Sequence, residues 1–256
     1  MSPRYRRNEV VYIPASLTVD GLTASHALIK KTVRHQADGG RSIIVDDGDD
    51  DTLKVSTRRV LPGNLGFVLV RIGDFHTETT LLDPLAKSVL QYLRLMLPDN
   101  LVTSLHVRTL KELQQWWEFN SAAKTHCVLI GHGEPAGIKF IDRDMPFSGE
   151  EIGAMLTEAS GAKRSPKTFL SLSCRTGLTQ FARGLSAAPV CKEFIGPVTS
   201  IHGASASQYM QTLLAHHLLD GMEILPSHRR ANKSTCKGTS FRFFRSGAWI
   251  PDKSQH

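Results

Sequence analysis

The sequence predicts an α/β protein: a mainly parallel central sheet in a three-layer arrangement, covered on both faces by helices, with a small N-terminal β-rich extension. Three observations predict it. From about residue 65, short apolar runs alternate with segments of helical periodicity. Two helix starts are written as capping boxes, Thr109 with Glu112 and Ser148 with Glu151. Residues 1–64 instead read as strands separated by turn signals. The expected division is therefore 1–64 for the extension and 65–256 for the main domain.

In chain order, "VVYIPASL" reads as a strand, "SHALIKKTVRHQ" as a short helix ending at Gly39-Gly40, and "RSIIVDDGDDDTLKVSTRRV" as a hairpin turning at Asp-Gly. The acids Asp46, Asp47, Asp49, Asp50 and Asp51 read as a solvated turn. They lack the spacing and distal glutamate of a helix-loop-helix calcium loop. "GFVLVRIGDF" (66–75) suits a buried strand. Asp83-Pro84 reads as an N-cap with an N1 proline, opening a helix that carries Leu85, Val89, Leu93 and Met96 until Pro98 stops it. "LVTSLHV" alternates as a strand, and Thr109 opens a helix carrying Leu113, Trp116 and Trp117. "HCVLI" is the next strand, followed by a helix from Ser148 to about Ala159. "KTFLSLS" and "GPVTSIHGAS" (196–205) are further strands. The second leads into a helix with Met210, Leu213, Leu214, His217 and Leu218 on one face.

At 256 residues the chain can bury a sizeable core, and 41% apolar with 21% charged residues is ordinary for a globular protein. No apolar run approaches the ~18 residues needed to span a membrane, so no membrane partner is expected. No apolar segment follows the basic "MSPRYRRNEV", so no secretory signal is expected. Cys127, Cys174, Cys191 and Cys236 show neither disulfide nor zinc spacing and read as reduced thiols in a cytoplasmic protein. Much of the net charge of +7 is terminal, in "RYRR" and in "HRRANKSTCKGTSFRFFR". Phe241, Phe243 and Phe244 interleave with arginines there, a pattern that can stack bases. No nucleic-acid motif accompanies it, so an amphipathic strand with a solvated basic face is the expectation, and a nucleic-acid partner is not.

Two stretches carry chemistry. "HCVLIGHGEPAGIKF" (126–140) ends an apolar strand on His132, held between Gly131 and Gly133. "PKTFLSLSCRTG" (166–177) ends a second one on Cys174. In parallel sheets, ligands sit beyond the carboxyl ends of the strands, where both residues fall. A thiol is only a few per cent ionised at neutral pH, near its ordinary value of ~8.5. A neighbouring imidazolium stabilises the thiolate, and the same ring later protonates a leaving amine. Gly133, lacking a Cβ, lets backbone pass close to a substrate, so the N–H groups of Gly133 and Cys174 are expected to form an oxyanion hole. Cys127 and Cys191 read as packing, and His216 and His217 as satisfied helix histidines. His202, Ser173, Asp74 and His76 are candidates for substrate contact, with Glu78 beside the last two, and Glu134 is placed either to orient the His132 ring or to face solvent. No metal and no organic cofactor is required.

These two segments resemble the catalytic segments of the caspase-like cysteine peptidases, the clan of caspases, metacaspases and CHAT-type domains. There an apolar strand ends in a His-Gly pair and a later one ends in the nucleophilic cysteine. The order matches, and the separation of 42 residues is close to the ~50 of caspases. The strand–helix order fits most of residues 66–220. The resemblance implies a caspase-like fold and cysteine endopeptidase activity on a protein or peptide substrate, with His132 as catalytic histidine and Cys174 as nucleophile. The sequence departs from the caspase Q-A-C-[RQG]-G. Its glycine comes three residues after the cysteine, which is more similar to metacaspases and CHAT-type members. "SIHGASASQYMQTLLAHHLLDGM" is also similar to the strand–helix segment after the cysteine in CHAT-type domains. Leu172, two before Cys174, transfers neither aspartate nor basic specificity. No long acidic linker follows Cys174, so a single chain is expected, switched by a regulatory partner or ligand if at all. Relatives often act in programmed cell death or antiviral defence, commonly tied to a sensor protein.

Three alternatives stand beside this reading. An α/β-hydrolase lacks its G-x-S-x-G elbow here. A zinc hydrolase lacks three ligands at sensible spacing. The third is a caspase-like fold without activity, serving as a scaffold or binding module.

Overall fold

The computed structural model describes residues 5–18, 21, 23–48, 51–73, 79–161, 165–235 and 238–252. Its centre is a seven-stranded sheet. The strands are β6 (Phe67–Ile72), β7 (Val102–Val107), β8 (His126–Ile130), β9 (Lys167–Ser171), β10 (Cys191–Pro197), β11 (Phe241–Arg245) and β12 (Ala248–Ile250). Their order is β12-β11-β10-β9-β8-β6-β7, parallel from β7 to β10 and antiparallel at β11 and β12.

Helices cover both faces. On one lie α1 (Leu82–Met96), α5 (Gly203–Leu214) and α6 (Ile224–Ser234), which share a core with Phe67 and Leu69 of β6. On the other lie α2 (Leu110–Asn120), α3 (Gly149–Ala159) and α4 (Thr179–Ala187), packed with Val68, Val70 and Ile72. Alternate residues of one strand thus enter two different cores, which is why "FVLVRI" is apolar almost throughout. This is the predicted three-layer α/β architecture. Both capping boxes form: Thr109 Oγ1 accepts the Glu112 N–H at 3.1 Å and Ser148 Oγ the Glu151 N–H at 3.2 Å.

Ahead of this body, β1 (Val10–Pro14), β2 (Leu28–Ala37), β3 (Ser42–Asp46), β4 (Thr52–Ser56) and β5 (Leu61–Pro62) form a second, antiparallel sheet in the order β4-β3-β2-β1-β5. Val11, Ile13, Val33, Ile43 and Val45 make its own core, while Tyr12, Leu28 and Leu61 join the core under α1 and α5. The expected β3–β4 hairpin is present, with Asp46 opposite Thr52 and Gly48 at φ 93°.

The structure corrects three expectations and adds a helix that the sequence reading lacked. Residues 28–37 are a strand, not a helix. Leu28 faces the main core and Val33 the small one, so the apolar residues fall on opposite faces of one strand, a spacing that mimics neither simple alternation nor a clear helix. Asp83 does not cap α1, which starts at Leu82; it pairs instead with Arg71 and, at 2.6 Å, with Lys87. The strand expected over 196–205 runs from Cys191 to Pro197. The helix α4 also intervenes between β9 and β10. A Cβ on its Gly184 would lie 2.6 Å from the Glu150 amide, so the glycine serves close helix packing. At the C-terminus the expected amphipathic strand forms as β11, with Phe241, Phe243 and Phe244 buried and Arg245 exposed.

Candidate active site

Strands β8 and β9 are parallel neighbours, with Leu129 opposite Ser171. His132 and Cys174 each lie three residues beyond that pair, at one rim of the sheet. The two segments touch through their backbones. A Cβ on Gly133 would lie 2.3 Å from the Cys174 carbonyl oxygen, 2.9 Å from its amide nitrogen and 2.9 Å from the Ser173 carbonyl carbon. Only glycine permits that approach. The loop after β8 is held by a short antiparallel bridge: the Lys139 N–H donates to the His132 carbonyl at 2.9 Å and the Glu134 N–H to the Gly137 carbonyl at 2.8 Å. His132 itself is exposed. Glu134 pairs with Lys139 at 2.7 Å.

Cys174 is half-buried on a tightly pinned turn. Beneath it, the Thr176 hydroxyl lies 2.8 Å from Ser171 Oγ and 2.8 Å from the Ser173 carbonyl, and the Ser173 N–H donates to Ser171 Oγ at 3.2 Å. The turn is sewn to the end of β10 by Arg175 N–H to the Thr199 carbonyl at 3.1 Å and Gly177 N–H to the Pro197 carbonyl at 2.8 Å. Gly177 is required there, since a Cβ would meet the Gly196 carbonyl oxygen at 2.0 Å. Arg175, directly after the cysteine, has φ 61°, a left-handed conformation that non-glycine residues adopt at a cost and that clusters at functional sites.

The sulfur faces a backbone donor: the Ile201 N–H points at Cys174 Sγ at 3.4 Å. Among the described residues, the N–H groups of Gly133 and Cys174 have no backbone acceptor. The two other described thiols differ sharply. Cys127 is fully buried and Cys191 nearly so, and desolvation pushes both far above the ordinary thiol range.

The remaining candidates are placed as follows. Ser173 is fully buried at the floor of the turn, its hydroxyl without a partner among the described residues. His202 is not at a strand end: it is exposed and caps α5, its Nδ1 accepting the Ala204 N–H at 3.2 Å. It also lines a cavity of about 590 Å³ between the first turns of α1 and α5. Asp74, His76 and Glu78, like Cys236, Asp49 and Asp50, lie outside the described residues. His216 pairs with Asp220 at 2.7 Å, while His217 is half-buried against His126. The Ile201 amide and the Ser171–Thr176 pair were not visible in the sequence; the first acts through backbone, which no side chain advertises. Among the described residues, no group of three His, Cys, Asp or Glu is placed to hold a metal, and no helix is long and apolar enough to cross a membrane.

No family model matches the chain, and no curated protein matches it. Among solved structures it is similar to a secreted C11 cysteine protease from Bacteroides thetaiotaomicron, determined in complex with an irreversible peptide inhibitor, at 9% sequence identity and a TM-score of 0.49. The match covers 72% of this chain and 66% of that one, so the chain spans just under two thirds of the other protein's length.

Proposed function

We propose that this chain is a caspase-like cysteine endopeptidase with Cys174 as nucleophile and His132 as general base and acid. The observation that carries this reading is the backbone contact of Gly133 with Ser173-Cys174, at the common rim of two neighbouring parallel strands. That contact lays the loop carrying His132 against the turn carrying Cys174.

The chemistry follows. The Cys174 thiolate, facing the Ile201 amide, attacks the scissile carbonyl carbon, and the carbonyl oxygen takes the negative charge against the N–H groups of Gly133 and Cys174. The C–N bond breaks as the His132 imidazolium gives its proton to the leaving amine. Water then attacks the thioester with His132 accepting a proton, the carboxylate leaves, and the thiol is restored. The C-x-x-G turn favours the metacaspase and CHAT-type branch of the clan. A regulatory partner and a role in cell death or antiviral defence belong to the same proposal by that resemblance, and a cytoplasmic setting by the cysteine pattern.

The test is digestion of a positional peptide library by the wild-type protein and by Cys174→Ala. Cleavage by the wild type should fall at least about 10³-fold in the variant. Equal cleavage by both removes Cys174 as nucleophile. Silence from both, with and without cell extract as a source of activator, favours the scaffold reading.

A further inference from the structure

Arg175 stands directly after the proposed nucleophile in a conformation that its residue type resists. Its φ of 61° lies in the left-handed region, where a side chain is crowded and glycine is at ease. Elsewhere the chain uses glycine there, as at Gly48, Gly221 and Gly247, or the tolerant types Asn8 and Asp38. The backbone of Arg175 explains the conformation. Its N–H donates to the Thr199 carbonyl at 3.1 Å, and its carbonyl accepts the Leu178 N–H at 3.0 Å. Glycine would make both bonds without the crowding. The arginine side chain itself is exposed at the rim. A side chain kept at a cost in the turn, and turned out of the fold beside a reactive group, points to function.

The order of strands gives the flank it serves. His132 follows β8, Cys174 follows β9 and Thr199 follows β10, with β9 between the other two. His132 hands its proton to the leaving amine, so the leaving side of the peptide lies toward β8 and the acyl side toward β10. The contact of Arg175 with Thr199 and that of the sulfur with Ile201 are both made to the segment after β10. Neighbouring strands stand ~4.8 Å apart, more than the ~3.4 Å that one extended residue spans. A peptide crossing the rim from the sulfur has therefore passed its first acyl-side residue before it reaches the end of β10. The guanidinium is permanently charged and offers a planar fork of donors that matches a carboxylate. The net charge of +7 favours the approach of anionic substrates as well. We infer that Arg175 is a specificity-determining residue, pairing with an acidic side chain on the second acyl-side residue of the substrate. The inference rests on the peptidase reading and adds the substrate class to it.

The experiment uses acetyl-dipeptidyl chloromethyl ketones. The residue bearing the ketone is alanine, leucine or arginine, and the residue before it is glutamate or glutamine, a pair alike in shape and different in charge. The Cys174 thiolate displaces chloride from the methylene carbon to leave a thioether, so labelling is read by intact mass without turnover. In each pair the glutamate reagent should label Cys174 at least about tenfold faster than the glutamine reagent. Arg175→Gly should bring that ratio close to one, and Arg175→Lys should keep a several-fold preference. The glycine variant should also melt no lower than the wild type, because the crowding is relieved. Equal rates within the pairs, a preference for glutamine, no adduct with any reagent, or a ratio that survives Arg175→Gly overturns the inference. So does a lower melting temperature for that variant, which would make the arginine a structural residue. Equal rates alongside selective iodoacetamide labelling of Cys174 and peptide hydrolysis condemn the role of Arg175 alone. Loss of those two controls as well condemns the peptidase reading.

Discussion

A histidine and a cysteine stand at each end of the β8–β9 pair, and the two ends behave oppositely. At the start lie His126, Cys127 and Lys167, all buried. His126 stacks on Phe67 and meets His217, their Nε2 atoms 3.2 Å apart. Lys167 Nζ donates to the carbonyls of Ser121 and Lys124 at 2.7 Å each. Burial holds His126 well below the ordinary histidine range, pushes the Cys127 thiol up and lowers Lys167. At the finish, His132 is exposed and Cys174 half-buried, beside an aimed amide and a glycine that brings backbone against backbone. A titratable side chain with no access to water or substrate is architecture. The same side chain at the carboxyl rim, among unspent N–H donors, is available for chemistry.

The widest gap between the two ends should appear on substituting their histidines. His132→Ala should lower kcat/KM by about 10²–10⁴-fold with little change in melting temperature. His126→Gln should leave kcat/KM within a few-fold while destabilising the fold by roughly 1–3 kcal/mol, because Thr125 and His217 lose a buried partner. Peptide hydrolysis paired with thermal melts reads both. The reverse pattern would dissolve the distinction between the ends.

Next in size is Gly133→Ala. The new Cβ has backbone on its far side, 2.3 Å from the Cys174 carbonyl oxygen, and backbone cannot swing away as a side chain would. The turn must shift, and both proposed oxyanion donors with it. The expected loss is about 10²–10³-fold in kcat, with KM nearly unchanged. Steady-state kinetics would expose the contrary outcome, a rise in KM alone, which would make Gly133 a binding residue.

Thiol accessibility gives a smaller and more direct contrast. In the folded protein at neutral pH, iodoacetamide should modify Cys174 at least about tenfold faster than Cys127 or Cys191, since both of those are desolvated thiols. Peptide mapping after brief exposure tells the three apart. Equal rates would mean that the strand ends share one environment.

The elements that position the site were legible because their signals are local. The capping boxes of α2 and α3 need only four residues each, and the strands β8 and β9 are short apolar runs ending at glycine or a polar turn. What escaped depends on distant partners. The segment Leu28–Ala37 is a strand because two different cores claim its two faces, and neither core is visible from those ten residues. The helix α4 went unread, and the tight approach of its Gly184 to Glu150 is likewise a contact with a distant partner. His202 reads as a strand end until its ring is found on the Ala204 amide. Of the site, the residue types at 132, 133 and 174 could be read. The left-handed Arg175 and the Ile201 donor could not, because backbone geometry leaves no mark on residue identity.

Acid stability supplies the smallest effect and bears on histidines away from the rim. His217 Nδ1–H donates to the Met222 carbonyl at 2.7 Å, so its Nε2 accepts from His126 Nε2–H, and His126 Nδ1 accepts the Thr125 hydroxyl at 2.9 Å. Every ring nitrogen is spent in the neutral state, and an added proton has no acceptor to face. Burial is the largest cause for both rings and outweighs the raising pull of the Met222 carbonyl and of Glu193 on His217, while Lys192 adds a smaller lowering to each. His228, closed in under Tyr209, is lowered by burial to about 4. All three lie below the ~6.5 of a histidine in the unfolded chain, so below that pH the unfolded state binds the protons that the fold refuses. Stability should be level above about pH 7 and fall as pH drops through 6 and 5, by up to ~1.4 kcal/mol per pH unit for each histidine held neutral. Urea titrations between pH 7.5 and 4.5 measure the slope, and His217→Gln should make it shallower by about one histidine's share. An acid slope untouched by that substitution would mean the pair already takes up a proton inside the fold, and the buried end of the sheet would then be less inert than its packing implies.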